Sequence, residues 1–201
     1  MSLEQTDAVS ERQLLEDTKI EARQSVELTI LPKACNLKTN LMQYLFNTSF
    51  GSQINPQEVV EEIIKFINAD QRRHYKVTIG TDSERAPDNT ADFVTAIVVY
   101  RVGNGGRYFW RRAENKTKYH TLRDRITEEV LISLEIAKEL LNVMKNFEMP
   151  KFDLEIHVDV GTNGETRTMI QELVGIIRAN HFEAKTKPES YAASKVADRH
   201  V

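Results

Sequence analysis

The chain has little cysteine and no long hydrophobic run, and each shortage excludes a class of protein. Its single cysteine, Cys35, cannot form an internal disulfide, and no pair of cysteines is present to bind a metal. Its longest apolar stretches, such as residues 96–100, fall far short of the roughly 18 residues that span a bilayer. The first residues have no apolar core flanked by basic residues, so no secretory signal is expected. These absences predict a cytoplasmic protein without membrane contact.

What is present is the composition of an ordinary soluble globular protein. Hydrophobic residues make up 40% of the 201 residues and charged residues 28%. This length fits one domain, or a domain of about 150 residues with an appendage. The formal net charge of -3 by itself argues weakly against a nucleic-acid-binding protein.

The charge is unevenly distributed along the chain, however. Residues 1–30 contain seven acidic and three basic residues, a net charge of -4, so the remainder carries +1. Residues 101–125 contain eight basic and two acidic residues, a net charge of +6. We call residues 101–125 the basic block. The basic block could bind the phosphate backbone of a nucleic acid. The simpler alternative is that it forms a solvated hairpin and the start of a helix.

Hydrophobic periodicity divides the rest of the chain into strands and helices. Residues 7–28 predict a charged helix within an N-terminal appendage, residues 1–45. Asn55 followed by Pro56 predicts a helix start, and the glycine-rich segment 103–106 predicts a hairpin turn. From residue 75 the order is β-β-β-α-β-α-β-α, with approximate bounds 75–79, 92–102, 107–113, 121–146, 154–158, 165–180, 182–186 and 190–201.

Two of the predicted strands end in acidic residues, Asp82 and Asp159. In α/β sheets, ligands gather beyond the carboxyl ends of the strands. If the two strands are parallel neighbours, both carboxylates lie at one edge of the sheet. Each also has a purely structural interpretation as a turn-forming acid.

Two further acids lie on predicted helices. Glu129 borders the apolar face of the long helix, three residues after Ile126, and a solvated helix face is the alternative. Asp198 lies on the last helix, where it could instead pair with Arg199 or Lys195. Carboxylates that cannot all ionise together suggest a divalent cation. Oxygen ligands without cysteine favour Mg²⁺ or Mn²⁺ over Zn²⁺. Two such ions about 4 Å apart could hold a phosphodiester and activate water.

This element order, with acids on the first strand, the long helix, the fourth strand and the last helix, resembles the ribonuclease H fold. More narrowly, residues 46–201 resemble the YkuK-like family of predicted ribonuclease H-like proteins. The resemblance is carried by the segments 77–83, 122–126 with Glu129, 157–161, 166–170 and 187–194 with 197–199.

The resemblance implies a five-stranded mixed sheet of order 3-2-1-4-5, flanked by helices. It also implies a metal-dependent nuclease that hydrolyses phosphodiester bonds of nucleic acid by a two-metal mechanism. Asp82, Glu129, Asp159 and Asp198 would be its catalytic residues and metal ligands. The candidate substrate-binding residues are Ser83, Arg111, Arg112, Lys116, Arg123, Arg167, Lys187 and Arg199.

Several other side chains have two interpretations. Trp110 and Tyr191 could stack on nucleobases, although packing in the core explains them more simply. His157 alternates with the apolar residues of its strand and is predicted to be a satisfied buried histidine rather than a ligand.

Two rival functions remain open. One is an inactive ribonuclease H-fold module that binds nucleic acid or protein. The other is an actin-like ATPase or sugar kinase, because residues 159–164 match an Asp-x-Gly-Thr phosphate loop. In those enzymes the loop joins two strands, whereas here a predicted helix follows it. The nuclease hypothesis requires the four carboxylates to converge on a common point.

Overall fold

The structure, a computed structural model, describes residues 44–163 and 165–201. The predicted appendage and its helix over 7–28 therefore lie almost wholly outside the described residues. Within that part of the chain, no helix is both long enough and apolar enough to cross a bilayer.

Three α-helices and seven strands make up the described fold. The helices are α1 (Pro56–Asn68), α2 (Leu122–Met144) and α3 (Ile170–Ala179). The strands are β1 (Phe46–Thr48), β2 (Gln53–Ile54), β3 (Tyr75–Arg85), β4 (Ala91–Arg101), β5 (Gly106–Asn115), β6 (Asp153–His157) and β7 (Glu183–Lys185).

The strands form one mixed sheet of order β2-β1-β5-β4-β3-β6-β7. Its last five strands reproduce the predicted order 3-2-1-4-5, with β3, β4 and β5 antiparallel and β6 and β7 parallel to β3. The mixed α/β fold is thus confirmed. The sheet differs from the prediction by two short edge strands, because Asn47 and Thr48 of β1 pair with the outer edge of β5.

The first helix begins as predicted. The side chain of Asn55 accepts a hydrogen bond from the Glu58 backbone, and the Glu58 carboxylate accepts one from the Asn55 backbone. This capping box, with Pro56 at the first helical position, satisfies amide groups that a helix start leaves unpaired.

One face of β3 packs against the helices. Val77 and Ile79 are fully buried in the main core. Farther along the strand, the Thr81 hydroxyl lies 2.8 Å from the Ser133 hydroxyl of α2. Since side chains alternate between the two faces of a strand, Gly80 and Asp82 lie on the opposite face.

The opposite face of the sheet is covered by the C-terminal segment. A continuous α-helix over 190–201 was predicted, but residues Ala192–Ala197 form a π-helical turn and Asp198–His200 a 3₁₀ turn. The Ala192 amide donates to His157 Nδ1, 3.1 Å away on β6. This contact between distant parts of the chain gives a partner to an amide at the start of the segment, where helical bonding leaves amides unpaired.

Gly80 sets how closely this segment approaches the sheet. A Cβ at position 80 would lie 2.6 Å from the backbone nitrogen of Ala193 and 2.9 Å from its Cβ. Both distances are too short for real atoms, so only glycine permits the observed packing.

We expect Gly80→Ala to lower the free energy of unfolding by about 2 kcal/mol, the usual cost of overpacking. Urea unfolding measures the change. Gly175→Ala is the matched control, because the space around Gly175 is open and alanine favours its helix, α3. Equal stability of the two variants would show that the segment does not pack closely on β3.

Candidate active site

Asp82 lies within a strand, not in a loop after it as predicted. The hairpin between β3 and β4 continues past it, with Asp82 opposite Val94 and the last pair at Arg85 and Ala91. Its carboxylate is partly buried on the face covered by the C-terminal segment. Burial raises the pKa of Asp82 to about 6, the Ser83 amide opposes the rise, and the nearby Asp159 and Asp198 add to it.

Asp159 lies at the same edge of the sheet as Asp82. Gly80 pairs with His157 at the end of the parallel β3–β6 ladder. Asp82 lies two positions after Gly80, and Asp159 lies two positions after His157. One oxygen, Oδ2, lies 2.9 Å from the Lys187 ammonium. The other, Oδ1, is buried and has no hydrogen-bond partner within the described residues. A buried carboxylate oxygen without a partner has capacity for a further ligand.

Glu129 approaches the site from the helical side of the sheet. It is 4% exposed on α2, and its Oε1 accepts a hydrogen bond of 2.5 Å from the Ser83 hydroxyl. Arg125, one helical turn earlier, donates to the same hydroxyl at 2.7 Å and lies 3.6 Å from Glu129 Oε1. Burial nevertheless raises the pKa of Glu129 to about 8, and the field of Asp82 contributes.

Asp198 comes from the 3₁₀ turn Asp198–His200 and is exposed. It is close enough to Asp82 to raise the pKa of that carboxyl. The turn is carried by the segment that packs on Gly80, so this packing brings Asp198 towards the other acids.

The four acids thus approach one edge of the sheet without forming a closed ligand set. Within residues 44–163 and 165–201, no three acidic, histidine or cysteine side chains are grouped so as to hold a metal ion. Glu129 is turned towards Ser83 and Arg125, and Asp159 towards Lys187. The donor set nevertheless fits a hard cation, because it consists of carboxylates and leaves one buried Asp159 oxygen unsatisfied.

Comparison with known proteins shows the family to which the chain belongs. Residues 58–201 match the family described as Ribonuclease H-like. The chain belongs to this family. It is also 35% identical over 169 residues to the uncharacterised protein YkuK of Bacillus subtilis (strain 168). The aligned region covers 78% of this chain and 96% of that protein. The ribonuclease H-like and YkuK-like assignment is therefore confirmed.

In this ribonuclease H-like domain, much of the basic block is engaged in contacts within the protein. Arg123 pairs with Glu172 of α3. Arg112 lies 3.7 Å from Asp92 and donates to the backbone oxygen of His200. These two arginines are therefore paired within the protein rather than solvated, as the simpler interpretation would have them.

The other candidate substrate-binding residues differ in their surroundings. The Arg111 guanidinium lies 3.8 Å from the centre of the Tyr44 ring. Lys116, Arg167 and Arg199 are exposed, and Lys187 contacts Asp159. Two of the candidate substrate-binding residues therefore contact an acid of the site: Lys187 contacts Asp159, and the buried Ser83 contacts Glu129.

Arg125 is a site residue that the sequence analysis did not single out. It was counted only as part of the basic block, although its spacing of four residues before Glu129 on a helix is a recognisable ion-pair signal. It also donates to the Ser83 backbone oxygen. It therefore links α2 to β3 beside Glu129.

His157 is a satisfied buried histidine, as predicted. It is 1% exposed, accepts the Ala192 amide through Nδ1 and packs against the edge of the Tyr191 ring. Burial lowers its pKa to about 4, opposed by Glu155 3.5 Å from Nε2. The neutral ring fits its acceptor role and argues against a proton-carrying role at neutral pH.

Proposed function

We propose that this protein is a metal-dependent nuclease that hydrolyses phosphodiester bonds of nucleic acid. The observation that supports it is the approach of four carboxylates, from strand β3, the loop after β6, one helix and the C-terminal turn, to one edge of a ribonuclease H-like sheet. Isolated carboxylates of this kind are costly to bury. Raised pKa values at Asp82 and Glu129 are the expected sign of a functional cluster.

Asp82, Glu129, Asp159 and Asp198 would hold two Mg²⁺ or Mn²⁺ ions. When bound, such ions polarise the phosphodiester and supply a metal-activated water. Ser83 and Arg125 orient the Glu129 carboxylate through their hydrogen bonds. At neutral pH Glu129 holds a proton, and it must release that proton before it can act as an anionic ligand.

Lys187 has a second task in this proposal. Its ammonium neutralises Asp159 at 2.9 Å, and half of its side chain is exposed. It is therefore able to leave Asp159 and contact a phosphate oxygen of the substrate. Arg199, exposed beside Asp198, would provide a second phosphate contact.

A binding module without catalysis is the second candidate. Two of the four acids already have partners, and this observation favours it. Lys187 contacts Asp159, whereas Ser83 and Arg125 contact Glu129. In such a protein these contacts would be permanent neutralising pairs rather than contacts exchanged for a metal.

Cleavage assays separate the two candidates. Single-stranded DNA, single-stranded RNA, RNA–DNA hybrid and a branched DNA junction are incubated with the full-length protein and either Mn²⁺, Mg²⁺ or EDTA. We expect cleavage of at least one substrate with Mn²⁺ and none with EDTA. Absence of cleavage on every substrate, together with no Mn²⁺ binding by calorimetry, would contradict the nuclease proposal.

Lys187 makes a separate prediction about metal affinity. Because its ammonium competes with a cation for Asp159, we expect Lys187→Gln to bind Mn²⁺ about threefold more tightly in the absence of substrate, the scale of a partly exposed ion pair. Isothermal titration calorimetry measures the affinity. Lys185→Gln is the control, since Lys185 pairs with Glu183 and Glu189 instead. Weaker Mn²⁺ binding by Lys187→Gln would show that Lys187 does not compete for the site.

A further inference from the structure

Aromatic side chains line the face of the sheet on which Asp82 lies. The pairing of β3, β4 and β5 places Gly80, Ala96 and Trp110 in one row across this face. The next row contains Thr78, Val98 and Tyr108, and Tyr100 follows opposite Lys76. Adjacent strands are about 5 Å apart, so Trp110 lies roughly 10 Å from the β3 strand that carries Asp82.

A cavity of about 470 Å³ opens on this face. Three tyrosines line it, Tyr100, Tyr108 and Tyr191, and each is partly exposed. Arg107 is the sole charged residue among the described residues that line it, and its guanidinium pairs with Glu62 of α1, 2.8 Å away. No carboxylate lines the cavity within the described residues. An aromatic cavity without a carboxylate suits a planar, uncharged ring such as a nucleobase.

The same face already holds one stacked ring. The imidazole of His200 lies parallel to Trp110, with ring centres 4.1 Å apart and an angle of 7° between planes. The ring centre of Tyr108, in the next row, lies 5.9 Å from the centre of the same imidazole. The spacing between β5 and the C-terminal segment therefore accommodates flat rings, and the cavity continues this arrangement beside Tyr108.

We propose that the cavity formed by Tyr100, Tyr108 and Tyr191 is a stacking subsite for an unpaired nucleobase of single-stranded nucleic acid. A duplex cannot present a base face to it, because its bases are stacked on one another. The strand would run from this subsite across β4 towards Asp82. The direction of the strand rests on the proposed nuclease function, whereas base binding in the cavity does not.

Trp110 makes the test direct, because it is the single tryptophan of the chain. Single-stranded DNA and RNA of 12 nucleotides are titrated into the full-length protein in EDTA, with tryptophan fluorescence and anisotropy of a labelled oligonucleotide as readouts. We expect quenching and binding by single strands and clearly weaker binding by a duplex of the same length.

Tyr108→Leu keeps an apolar side chain but removes the stacking ring, and we expect it to weaken single-strand binding about tenfold. Tyr100→Leu should act in the same direction. The matched control is Phe50→Leu, since Phe50 is 89% exposed on the β1–β2 turn, away from this cavity. Unchanged binding by both tyrosine variants, equal affinity for duplex, or no oligonucleotide binding would each overturn the subsite.

Asp82→Asn separates this proposal from the nuclease proposal. It should retain single-strand binding in EDTA, since Asp82 does not line the cavity. Cleavage that is unaffected by the tyrosine variants would leave the nuclease proposal intact and overturn the subsite. Tyrosine-dependent binding of single strands by a protein that cleaves no substrate would support the subsite and contradict the nuclease proposal.

Discussion

Replacing Asp82 with asparagine should lower metal-dependent phosphodiester cleavage by about a thousandfold. The substitution keeps the size of the side chain but removes a charge that interacts with the other three acids of the cluster. Loss of one electrostatic group that stabilises a transition state typically costs two to three orders of magnitude. The measurement is the initial cleavage rate with Mn²⁺ on the best substrate of the assay panel.

The same variant should not lose stability. The pKa of Asp82 is raised to about 6 by burial and by the neighbouring acids, so at neutral pH its charge opposes folding. Asparagine removes that charge, and urea unfolding should show equal or greater stability. Lower activity in a variant of undiminished stability therefore cannot be attributed to unfolding.

Glu148→Gln is the matched control for this experiment. Glu148 is exposed after the end of α2, and its change removes the same charge at a distance from the cluster. It should cleave at the wild-type rate. Wild-type cleavage by Asp82→Asn would show that Asp82 is not part of a catalytic site and would remove it from the proposed ligand set.

Much of the fold could be predicted because its signals are local. The alternation in β3 and β6 locates both strands, although β3 continues past Asp82 to Arg85, whereas Asp159 does follow the end of β6. Placing the two acids together requires only that the strands be parallel neighbours, which the ladder from Lys76 to His157 confirms. The position of Glu129 at the border of an apolar helix face left both a ligand and a solvated side chain open, and the structure buries it.

The rest depends on contacts between residues far apart in the chain. Arg123 reaches Glu172, 49 positions away, and Lys187 reaches Asp159 across a loop and a helix. Charge counts over a sequence segment do not reveal such partners. They therefore did not show that several arginines of the basic block form ion pairs within the protein. The contact of the C-terminal segment with β6 has the same origin, since the Ala192 amide donates to His157, 35 positions earlier in the chain.

Glu129 should make the protein less stable as the pH rises. Its carboxyl has a pKa near 4.3 when unfolded and about 8 in the folded protein. A raised folded pKa contributes stability that is present at low pH and lost as the pH rises through the folded value. In EDTA, we therefore expect the free energy of unfolding to fall by about 2 kcal/mol between pH 6.5 and pH 9.

Other groups limit the useful pH window, among them Asp82, whose pKa of about 6 lies at its lower end. Burial lowers the pKa of His157 to about 4, so it adds stability as the pH rises towards 6.5, and measurements above that value avoid its effect. Burial also raises the pKa of Glu139 to about 7, and its contribution has the same sign as that of Glu129. A comparison between variants is needed to isolate Glu129.

Glu129→Gln provides that comparison, because an amide keeps a hydrogen-bonding oxygen for Ser83 but does not ionise. Its urea-unfolding profile should be flatter than that of the wild type above pH 6.5, and the variant should be the more stable of the two at pH 9. Mn²⁺ should then stabilise the wild type more than the variant at pH 9, because only the wild type gains an anionic ligand there. Parallel pH profiles would show that Glu129 does not hold its proton in the folded state. Equal stabilisation of both proteins by Mn²⁺ would remove Glu129 from the ligand set and leave Asp82, Asp159 and Asp198 to account for any metal binding.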